Sequence, residues 1–549
     1  MTKELTTAIA NSIRNRWDHD VLSDFQGITL TGREVAQQIE QIHIILKESD
    51  IRPGDKIALC ARNSTAWATA FLGAMTYGAV VVPLLHEFRP ENVEHLVSHS
   101  GARILFTEQS IFDHLDENRI SSLDGAILIP EMKLAFSRSK KLTAAVENID
   151  SLFSHRFSKG FSPEDVSYKA VNQAHLALIN YTSGSTGNSK GVMLSYGNLW
   201  SNVRFGMKRI DFLHQGDGML SMLPLAHMYG LVFEFLFPLC KGCHITFLGR
   251  VPSPKVVLKA FAEVRPKLVI TVPLVIEKIV KGNVFPILRK PMMKMLLAIP
   301  GVRDIVYKKV RVQLLEAFGG QLQQLILGGA AVSSDVEEFL RRIKFPFTVG
   351  YGMTECAPLV TYEWWATQRP HSCGRLVDGM EARVDSPDPV NIPGILHVRG
   401  ANVMQGYFKN DEATAEALDN KGWLNTGDIC TIDSDGYVYL RGRDKNMILS
   451  SSGQNVYPEE IEVKLNNLPM VAESVVVDRD GKIVALVHPD YDSGLKQKLT
   501  EAEIEQRVQE NLAELNRQLP AYSHVNRIEI HKEAFEKTPK HSIRRFLYK

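Results

Sequence analysis

A loop rich in hydroxyl groups and glycines, followed by a lysine, is the part of this sequence best suited to chemistry. The stretch 178–192 begins as an apolar strand and ends at Val192, with Lys190 just before its end. Between strand and lysine lies the loop Thr182, Ser183, Gly184, Ser185, Thr186 and Gly187. Glycines let backbone N–H groups approach an anion closely, hydroxyls add donors, and lysine adds positive charge. The pattern predicts a polyphosphate site.

This loop differs from the Walker A loop, a phosphate-binding loop of many nucleotide-binding proteins. Ser189 occupies the position before the lysine, where a Walker A loop requires glycine. A polar surface loop is the simpler alternative. So dense a run of Ser, Thr and Gly directly after an apolar strand favours phosphate binding over that alternative.

Further motifs follow the loop in a fixed order along the chain. They are 223–230 (LPLAHMYG), 328–330 (GGA), 350–355 (GYGMTE), 422–428 (GWLNTGD), 441–445 (RGRDK) and 453–461 (GQNVYPEEI). Together with the loop they resemble the motifs of the adenylate-forming superfamily of acyl-CoA synthetases, luciferases and peptide-synthetase adenylation domains. The resemblance covers nearly the whole chain and implies ATP-dependent activation of a carboxylic acid as its acyl adenylate.

The resemblance implies roles for residues around the phosphates. A carboxylate attacking the α-phosphate brings two anions together, so the site must neutralise charge and align the groups. Lys190 and the loop 182–187 would hold the β- and γ-phosphates, and Thr354 would donate to the α-phosphate and the carboxylate. Glu355 and Thr186 would hold Mg²⁺, which bridges phosphate oxygens.

Other motif residues would hold the nucleoside. Tyr351 would stack on adenine, with Gly352 allowing close backbone approach and Met353 beside it. Asp428 would accept hydrogen bonds from the ribose hydroxyls, and Arg443 would reach the same sugar. The adenine wall would be formed by Gly328, Gly329 and Ala330. A core tyrosine and solvated charges are the plainer alternatives, which the shared motif context disfavours.

The C-terminal part departs from the family pattern at one position. Lys445 matches the hinge on which a small mobile domain would turn. The segment 537–545 aligns with the family segment that carries the adenylation lysine, and that lysine falls on Ser542. Because serine supplies no charge, Lys540 is the candidate catalytic lysine in its place.

A single histidine lies within an apolar part of the sequence and is a candidate residue of the acyl-binding site. His227 lies within the apolar stretch 219–239. A lone histidine there is commonly a satisfied core residue. The resemblance instead puts it at a mouth shared by the acyl and thiol channels, and the apolar neighbours predict a hydrophobic acyl slot.

About 50 residues before Gly328 resemble the extra helical insertion of the long-chain fatty acid–CoA ligase branch. The insertion is basic, with apolar residues such as Phe285 and Met292 interleaved. Peripheral contact with an anionic membrane, a solvated helix face and a patch for the nucleotide part of coenzyme A remain open.

Three functions remain open from the sequence. The first is a long-chain fatty acid–CoA ligase that uses ATP, Mg²⁺ and coenzyme A. The second is an adenylate former that loads a carrier-protein thiol. The third, motivated by Ser542, is a nucleotide-binding protein impaired in adenylation.

The elements that must position these motifs are helices alternating with short apolar strands. This alternation indicates an α/β fold with mostly parallel, helix-covered sheets. After about Gly374, short strands and turns predict a small barrel-like β subdomain, and beyond Arg443 a small mobile α+β domain is expected. The predicted domains are therefore 1–442 and 443–549.

Composition sets the class of protein. A chain of 549 residues exceeds one hydrophobic core, and a net charge of +1 argues against nucleic acid as a partner. Six scattered cysteines fit reduced thiols and a cytoplasmic location. The uncharged stretch 66–85 could span a bilayer, but Gly78 and Pro83 favour a buried helix, a turn and a core strand.

Overall fold

The largest sheet carries the phosphate-loop motif. The computed structural model describes residues 4–168, 170–183, 189–250, 253–449, 454–537 and 543–548. In spatial order the strands of this central sheet are Gly406–Tyr407, Ser189–Ser195, Leu176–Ser183, Val80–Leu84, Lys56–Cys60, Ile104–Thr107, Gly125–Leu128 and Lys133–Ser137. The inner strands pair in parallel and the outer ones antiparallel. The expected mostly parallel sheet is thus confirmed.

Two smaller sheets lie in the same N-terminal domain. One has the order Gly218–Ser221, His244–Phe247, Asp20–Asp24, Thr29–Thr31, and the other Leu268–Thr271, Gln324–Leu327, Phe347–Val349. The second is wholly parallel. Its strands therefore end at one edge, where the motifs 328–330 and 350–355 begin.

The short strands predicted after about residue 374 are present, and they pair antiparallel. A four-stranded sheet runs in the order Met380–Asp385, Gly394–Gly400, Leu424–Ile432, Val438–Arg443. A smaller sheet contains Tyr351–Gly352, Leu359–Tyr362 and Arg375–Leu376.

Helices cover these sheets, and their ends follow local chemistry. Thr31 and Glu34 form the capping box that opens the second helix. The uncharged stretch is a buried helix, Thr65–Tyr77, which ends at left-handed Gly78 and leads into strand Val80–Leu84. The N-terminal helices are Leu5–Asn15, Gly32–Glu48, Thr65–Tyr77, Pro90–Ser100, Gln109–Phe112, Lys140–Glu147, Ile149–Arg156, Tyr196–Arg209, Met228–Gly230, Leu231–Leu236, Phe237–Lys241, Pro254–Val264, Pro273–Ile279, Val280–Val284, Phe285–Leu288, Pro291–Ala298, Val302–Ala317, Ser334–Arg342 and Asp411–Ala417.

The C-terminal domain builds its own α+β core. Its sheet has the order Val471–Arg479, Lys482–Pro489, Arg527–Ile530, and its helices are Pro458–Leu465, Tyr491–Lys496 and Glu501–Arg517. Apolar side chains from Pro458–Leu465 and Glu501–Arg517 pack on one face of this sheet. Across the described ranges, no helix is both long enough and apolar enough to cross a membrane.

Candidate active site

The phosphate motif forms a hairpin between the two strands Leu176–Ser183 and Ser189–Ser195 (the phosphate hairpin). Thr182 pairs with Lys190 and Ser183 with Ser189 across it. Thr182 and Ser183 were expected in the loop but belong to the strand, because the ladder continues to the hairpin end. Gly184, Ser185, Thr186 and Gly187 lie outside the described residues. Lys190 reaches across the sheet, with its Nζ 4.8 Å from the ring centre of Tyr407.

Tyr407 joins the two charged residues of the expected phosphate site. Its strand pairs with the phosphate hairpin, Tyr407 opposite Val192. Its hydroxyl donates a 3.0 Å hydrogen bond to Glu355 Oε1. Burial, and next the charge of Glu355, raise the pKa of Tyr407, so it stays a protonated donor. Lys190, Glu355 and Tyr407 therefore form one cluster.

The donor chemistry at Glu355 fits a magnesium ion. Oε1 of the Glu355 carboxylate accepts the Tyr407 hydrogen bond, and carboxylate oxygens are among the hard ligands that Mg²⁺ prefers. Among the described residues no three His, Cys, Asp or Glu side chains gather as a metal cage. Mg²⁺ in phosphoryl-transfer sites is commonly held by one or two carboxylates plus phosphate oxygens, which suits a single Glu355. The neighbouring Thr354 opens the turn Thr354–Cys356.

A second polar cluster surrounds Asp428. The carboxylate is buried, and its Oδ2 accepts a 2.5 Å hydrogen bond from the Tyr351 hydroxyl. Its Oδ1 accepts a 3.1 Å bond from Arg443 Nε. The carboxylate raises the pKa of Arg443, and burial, then Asp428, raise that of Tyr351. The structure thus brings together the three residues expected at adenine and ribose.

The glycines of two motifs are explained by the chain's own packing. A Cβ at Gly352 would lie 2.3 Å from Pro358 O, so this glycine admits the neighbouring backbone. Met353 N donates to the same oxygen at 2.8 Å. A Cβ at Gly328 would lie 3.1 Å from the ring of Tyr229. Gly329 has a φ of +82°, the left-handed region. Ala330 beside it is exposed.

The His227 motif is anchored to the phosphate hairpin. Asn180, on the first hairpin strand, donates a 2.7 Å hydrogen bond to Ala226 O. Asn63 donates to Leu223 O at 2.7 Å and accepts from Leu225 N at 2.9 Å. His227 is half-buried and precedes the short helix Met228–Gly230.

Tyr229 lies between the acyl motif and the expected adenine wall. Its hydroxyl donates to Ile326 O at 3.2 Å, two residues before the glycine motif. Burial raises the pKa of Tyr229 well above its ordinary value. Tyr229, within the apolar stretch 219–239, therefore packs as a neutral ring against Phe233 and Gly328.

Glu234 is a buried carboxyl group within the apolar stretch. Its Oε2 accepts hydrogen bonds from Leu223 N at 2.8 Å, Met222 N at 3.0 Å and Ser221 Oγ at 3.2 Å. Burial raises its pKa well above the usual range. No described residue is within hydrogen-bonding reach of its Oε1. Glu234 thus ties the π-helix Leu231–Leu236 to the segment that leads to His227.

The hinge motif follows the Asp428 cluster directly. Strand Val438–Arg443 ends at Arg443, and Lys445 lies exposed in the turn Asp444–Asn446. Asn446 Nδ2 donates a 2.6 Å hydrogen bond to Glu459 Oε1 of the C-terminal domain. Lys540 and Ser542 lie outside the described residues.

Comparison with known proteins decides the family. A sequence profile described as "AMP-binding enzyme" matches residues 9–408. A second profile, "AMP-binding enzyme C-terminal domain", matches residues 445–548.

This chain belongs to the AMP-binding enzyme family. It is 27% identical over 530 residues to the long-chain-fatty-acid–CoA ligase 1 of Saccharomyces cerevisiae, covering 87% of this chain and 74% of the relative. It is 30% identical over 457 residues to a feruloyl-CoA synthase of an Amycolatopsis species, covering 82% and 81%. The crystal structure of ATP-bound MatB from Rhodopseudomonas palustris has the same fold, with a TM-score of 0.74, 23% identity and 98% of each chain covered.

Sequence reasoning about this AMP-binding enzyme missed three polar residues. Asn180 and Glu234 are single polar residues within apolar runs, a signal that predicts buried, hydrogen-bonded groups. Tyr407 carried no such signal. Its place beside Glu355, 52 residues away in sequence, arises only from the pairing of its strand with the phosphate hairpin.

Proposed function

We propose that this AMP-binding enzyme is an AMP-forming acid–CoA ligase whose acid is a long-chain fatty acid. One observation carries the proposal: the chain holds charged clusters at Glu355 and at Asp428, and the ring of Tyr229, from the apolar stretch 219–239, packs against Gly328 of the expected adenine wall. The polar side suits a nucleotide and the apolar side suits an acyl chain. The yeast relative is named as a long-chain-fatty-acid–CoA ligase, which supports the same reading.

In the first half-reaction a carboxylate oxygen bonds to the α-phosphorus of ATP, and the bond to the β-phosphate oxygen breaks, releasing pyrophosphate. Lys190 and Thr354 would offset the charge of the meeting anions. Mg²⁺ held at Glu355 would neutralise phosphate charge. Tyr351, Asp428 and Arg443 would bind the nucleoside.

In the second half-reaction the coenzyme A sulfur bonds to the acyl carbonyl carbon, and AMP leaves as the thiol loses its proton. His227 lies in the motif that would line the meeting point of acyl chain and thiol. The C-terminal domain would rotate about Lys445 between the two steps. Lys540 would supply the cation that Ser542 lacks, so Lys540→Ala should slow adenylation while sparing thioester formation from preformed acyl adenylate.

A cytoplasmic location belongs to the same proposal. The six cysteines are free thiols, as reducing conditions favour.

The decisive experiment is pyrophosphate release across saturated acids of graded chain length, with ferulate as an aromatic competitor substrate. We expect turnover to peak with long-chain acids and to require coenzyme A for sustained product. The Amycolatopsis relative is named as a feruloyl-CoA synthase, and a peak with ferulate would overturn the proposal that the acid is a long-chain fatty acid. Thioester formation on an acyl carrier protein but not on coenzyme A would overturn the proposal that coenzyme A is the acyl acceptor. Absence of pyrophosphate release with every acid would overturn adenylation itself.

A further inference from the structure

Basic and apolar side chains project to solvent together from the helices Phe285–Leu288, Pro291–Ala298 and Val302–Ala317 (the helical insertion). Its inner face is covered, since the rings of Phe285 and Tyr307 contact Phe339 at 5.3 and 6.4 Å between centres. Leu314 is also buried there. The outer face has no such cover within the described chain.

Large apolar side chains are concentrated on the outer face. Met292, Ile305 and Met295 are 70%, 69% and 64% exposed. Three more, exposed by at least 44%, are Ile287, Ile299 and Val312. Exposed apolar side chains scattered singly are ordinary, whereas six within 26 residues of one segment form a surface that water solvates poorly.

Positive charge surrounds the same side chains. The basic residues between 285 and 312 are Arg289, Lys290, Lys294, Arg303, Lys308, Lys309 and Arg311, against the single acidic residue Asp304. Asp304 pairs with Arg303 at 3.7 Å. Among the residues that the structure describes, Lys290, Lys294, Lys308 and Lys309 take part in no ion pair. The charge is therefore available to an external anionic partner.

We propose that the outer face of the helical insertion binds the surface of an anionic lipid bilayer. Helices with exposed apolar side chains and flanking lysine or arginine lie in the headgroup region, with apolar groups at the acyl boundary and cations on anionic headgroups. This binding goes beyond the proposed reaction and does not depend on it.

Other anionic partners fit the face less well. The phosphates of a free nucleotide would use the cations but leave Met292, Met295 and Ile305 in water. An acidic protein domain would need a shaped recess for these side chains, and the exposed ones stand on convex helical turns. A bilayer accepts them without shape complementarity.

The test is co-sedimentation of the whole enzyme with vesicles of phosphatidylcholine alone or mixed with phosphatidylglycerol, without ATP, acid or coenzyme A. We expect binding to the mixed vesicles that weakens as salt is raised, because salt screens exposed charges. Lys290→Glu/Lys294→Glu and Met292→Gln/Met295→Gln should each weaken binding at least about tenfold.

Matched controls use exposed residues of the same chemical type outside the insertion. Lys133→Glu/Lys255→Glu reverses two exposed lysines outside the insertion, and Val390→Gln/Ile392→Gln replaces apolar residues 49% and 48% exposed. Both should bind vesicles as the wild type does. Equal loss in a control and its matched variant would overturn the assignment of the face.

Two further results would overturn the proposal. One is wild-type enzyme that stays in the supernatant with the mixed vesicles at low salt. The other is capture by an acidic acyl carrier protein, sensitive to the same lysines, without vesicle binding. Because no substrate is present, either result leaves the proposed ligase activity untouched.

Discussion

At the scale of single residues, the cluster of Lys190, Glu355 and Tyr407 joins groups from three segments. Lys190 offers a cation, Glu355 a carboxylate oxygen, and the Tyr407 hydroxyl fixes that carboxylate at 3.0 Å. Preorganised charge of this kind is often the largest single contribution to transition-state stabilisation in enzymes. Its effect should therefore dominate the kinetics of the adenylation half-reaction.

Lys190→Ala and Glu355→Gln should each lower the rate of pyrophosphate release about a hundred- to thousandfold, because each removes one fixed charge. Tyr407→Phe should lower it about tenfold, since it removes one hydrogen bond to a charged group. Tyr77→Phe, which removes a phenol that donates to Ile51 O away from the cluster, serves as control. Near-normal turnover of both charge variants would show that the nucleotide binds elsewhere.

Glu234 should stabilise the folded protein through its hydrogen-bond acceptor oxygen rather than through a negative charge. Glu234→Leu would leave the Met222 and Leu223 N–H groups buried without an acceptor, which costs about 1–3 kcal/mol for each group. Glu234→Gln keeps the acceptor and should change the free energy of unfolding by less than about 1 kcal/mol. Urea unfolding of both variants measures the difference. Equal destabilisation by Gln and Leu would mean that the carboxyl group is needed in its charged form.

At the scale of elements, sequence patterns predicted isolated elements well and long-range pairing poorly. The stretch 66–85 forms the predicted buried helix, turn and core strand, because Gly78 ends the helix and β-branched residues favour the strand that follows. The phosphate hairpin was predicted as a strand and a loop. Its second strand has few local signals and is defined by pairing with Leu176–Ser183 and with Gly406–Tyr407. Tyr407 was missed for the same reason, because its place beside Glu355 depends on strand pairing between distant segments.

Helix Gly32–Glu48 carries two buried groups whose titrations oppose each other. Burial, opposed by Arg156, raises the pKa of Glu40 to about 7, from 4.5. Burial, and next Arg156, lower the pKa of His43 to about 4, from 6.5. Between pH 4.5 and 6.5 the folded pair holds one proton on Glu40, while the unfolded pair holds one on the histidine. Stability should therefore change little with pH in the wild type.

Single substitutions should separate the two effects. In Glu40→Gln, His43 contributes stability above pH 6.5, which is lost as the pH falls toward 4. In His43→Gln, Glu40 contributes stability below pH 4.5, which is lost as the pH rises through 7. Each contribution should reach about 3 kcal/mol. Urea midpoints across this pH range provide the measurement, and parallel pH profiles for the two variants would contradict the opposition.

At the scale of the whole molecule, polar contacts between described residues link the C-terminal domain to the N-terminal domain both near the hinge and away from it. Near the hinge, Arg441 pairs with Glu460 at 3.5 Å, and a Cβ at Gly442 would lie 2.7 Å from Glu459 Oε2. Farther away, Lys281 Nζ donates to Asn467 Oδ1 at 2.7 Å. Exposed pairs of this type contribute little free energy, so these contacts would oppose the proposed rotation only weakly.

Lys445→Pro should therefore spare adenylate formation more than thioester formation. Proline fixes φ at the residue about which the domain is proposed to turn, and only the second step would need the turned arrangement. Pyrophosphate release and transfer of preformed acyl adenylate to coenzyme A measure the two steps separately. Lys445→Ala keeps backbone freedom and controls for loss of the side chain. Equal losses in both steps for the proline variant would argue against rotation.

The packing of Tyr229 against Gly328 has a consequence for how the two substrates affect each other's binding. If the proposed sites are correct, this one ring would form part of the wall of the acyl site and part of the wall of the nucleotide site. A displacement of this ring by either ligand alters the space left for the other. Affinity for ATP and affinity for the acid are then linked, and the linkage acts equally in both directions. A side chain introduced at Gly328 should therefore change the selectivity among acids, although this glycine belongs to a motif expected to contact adenine.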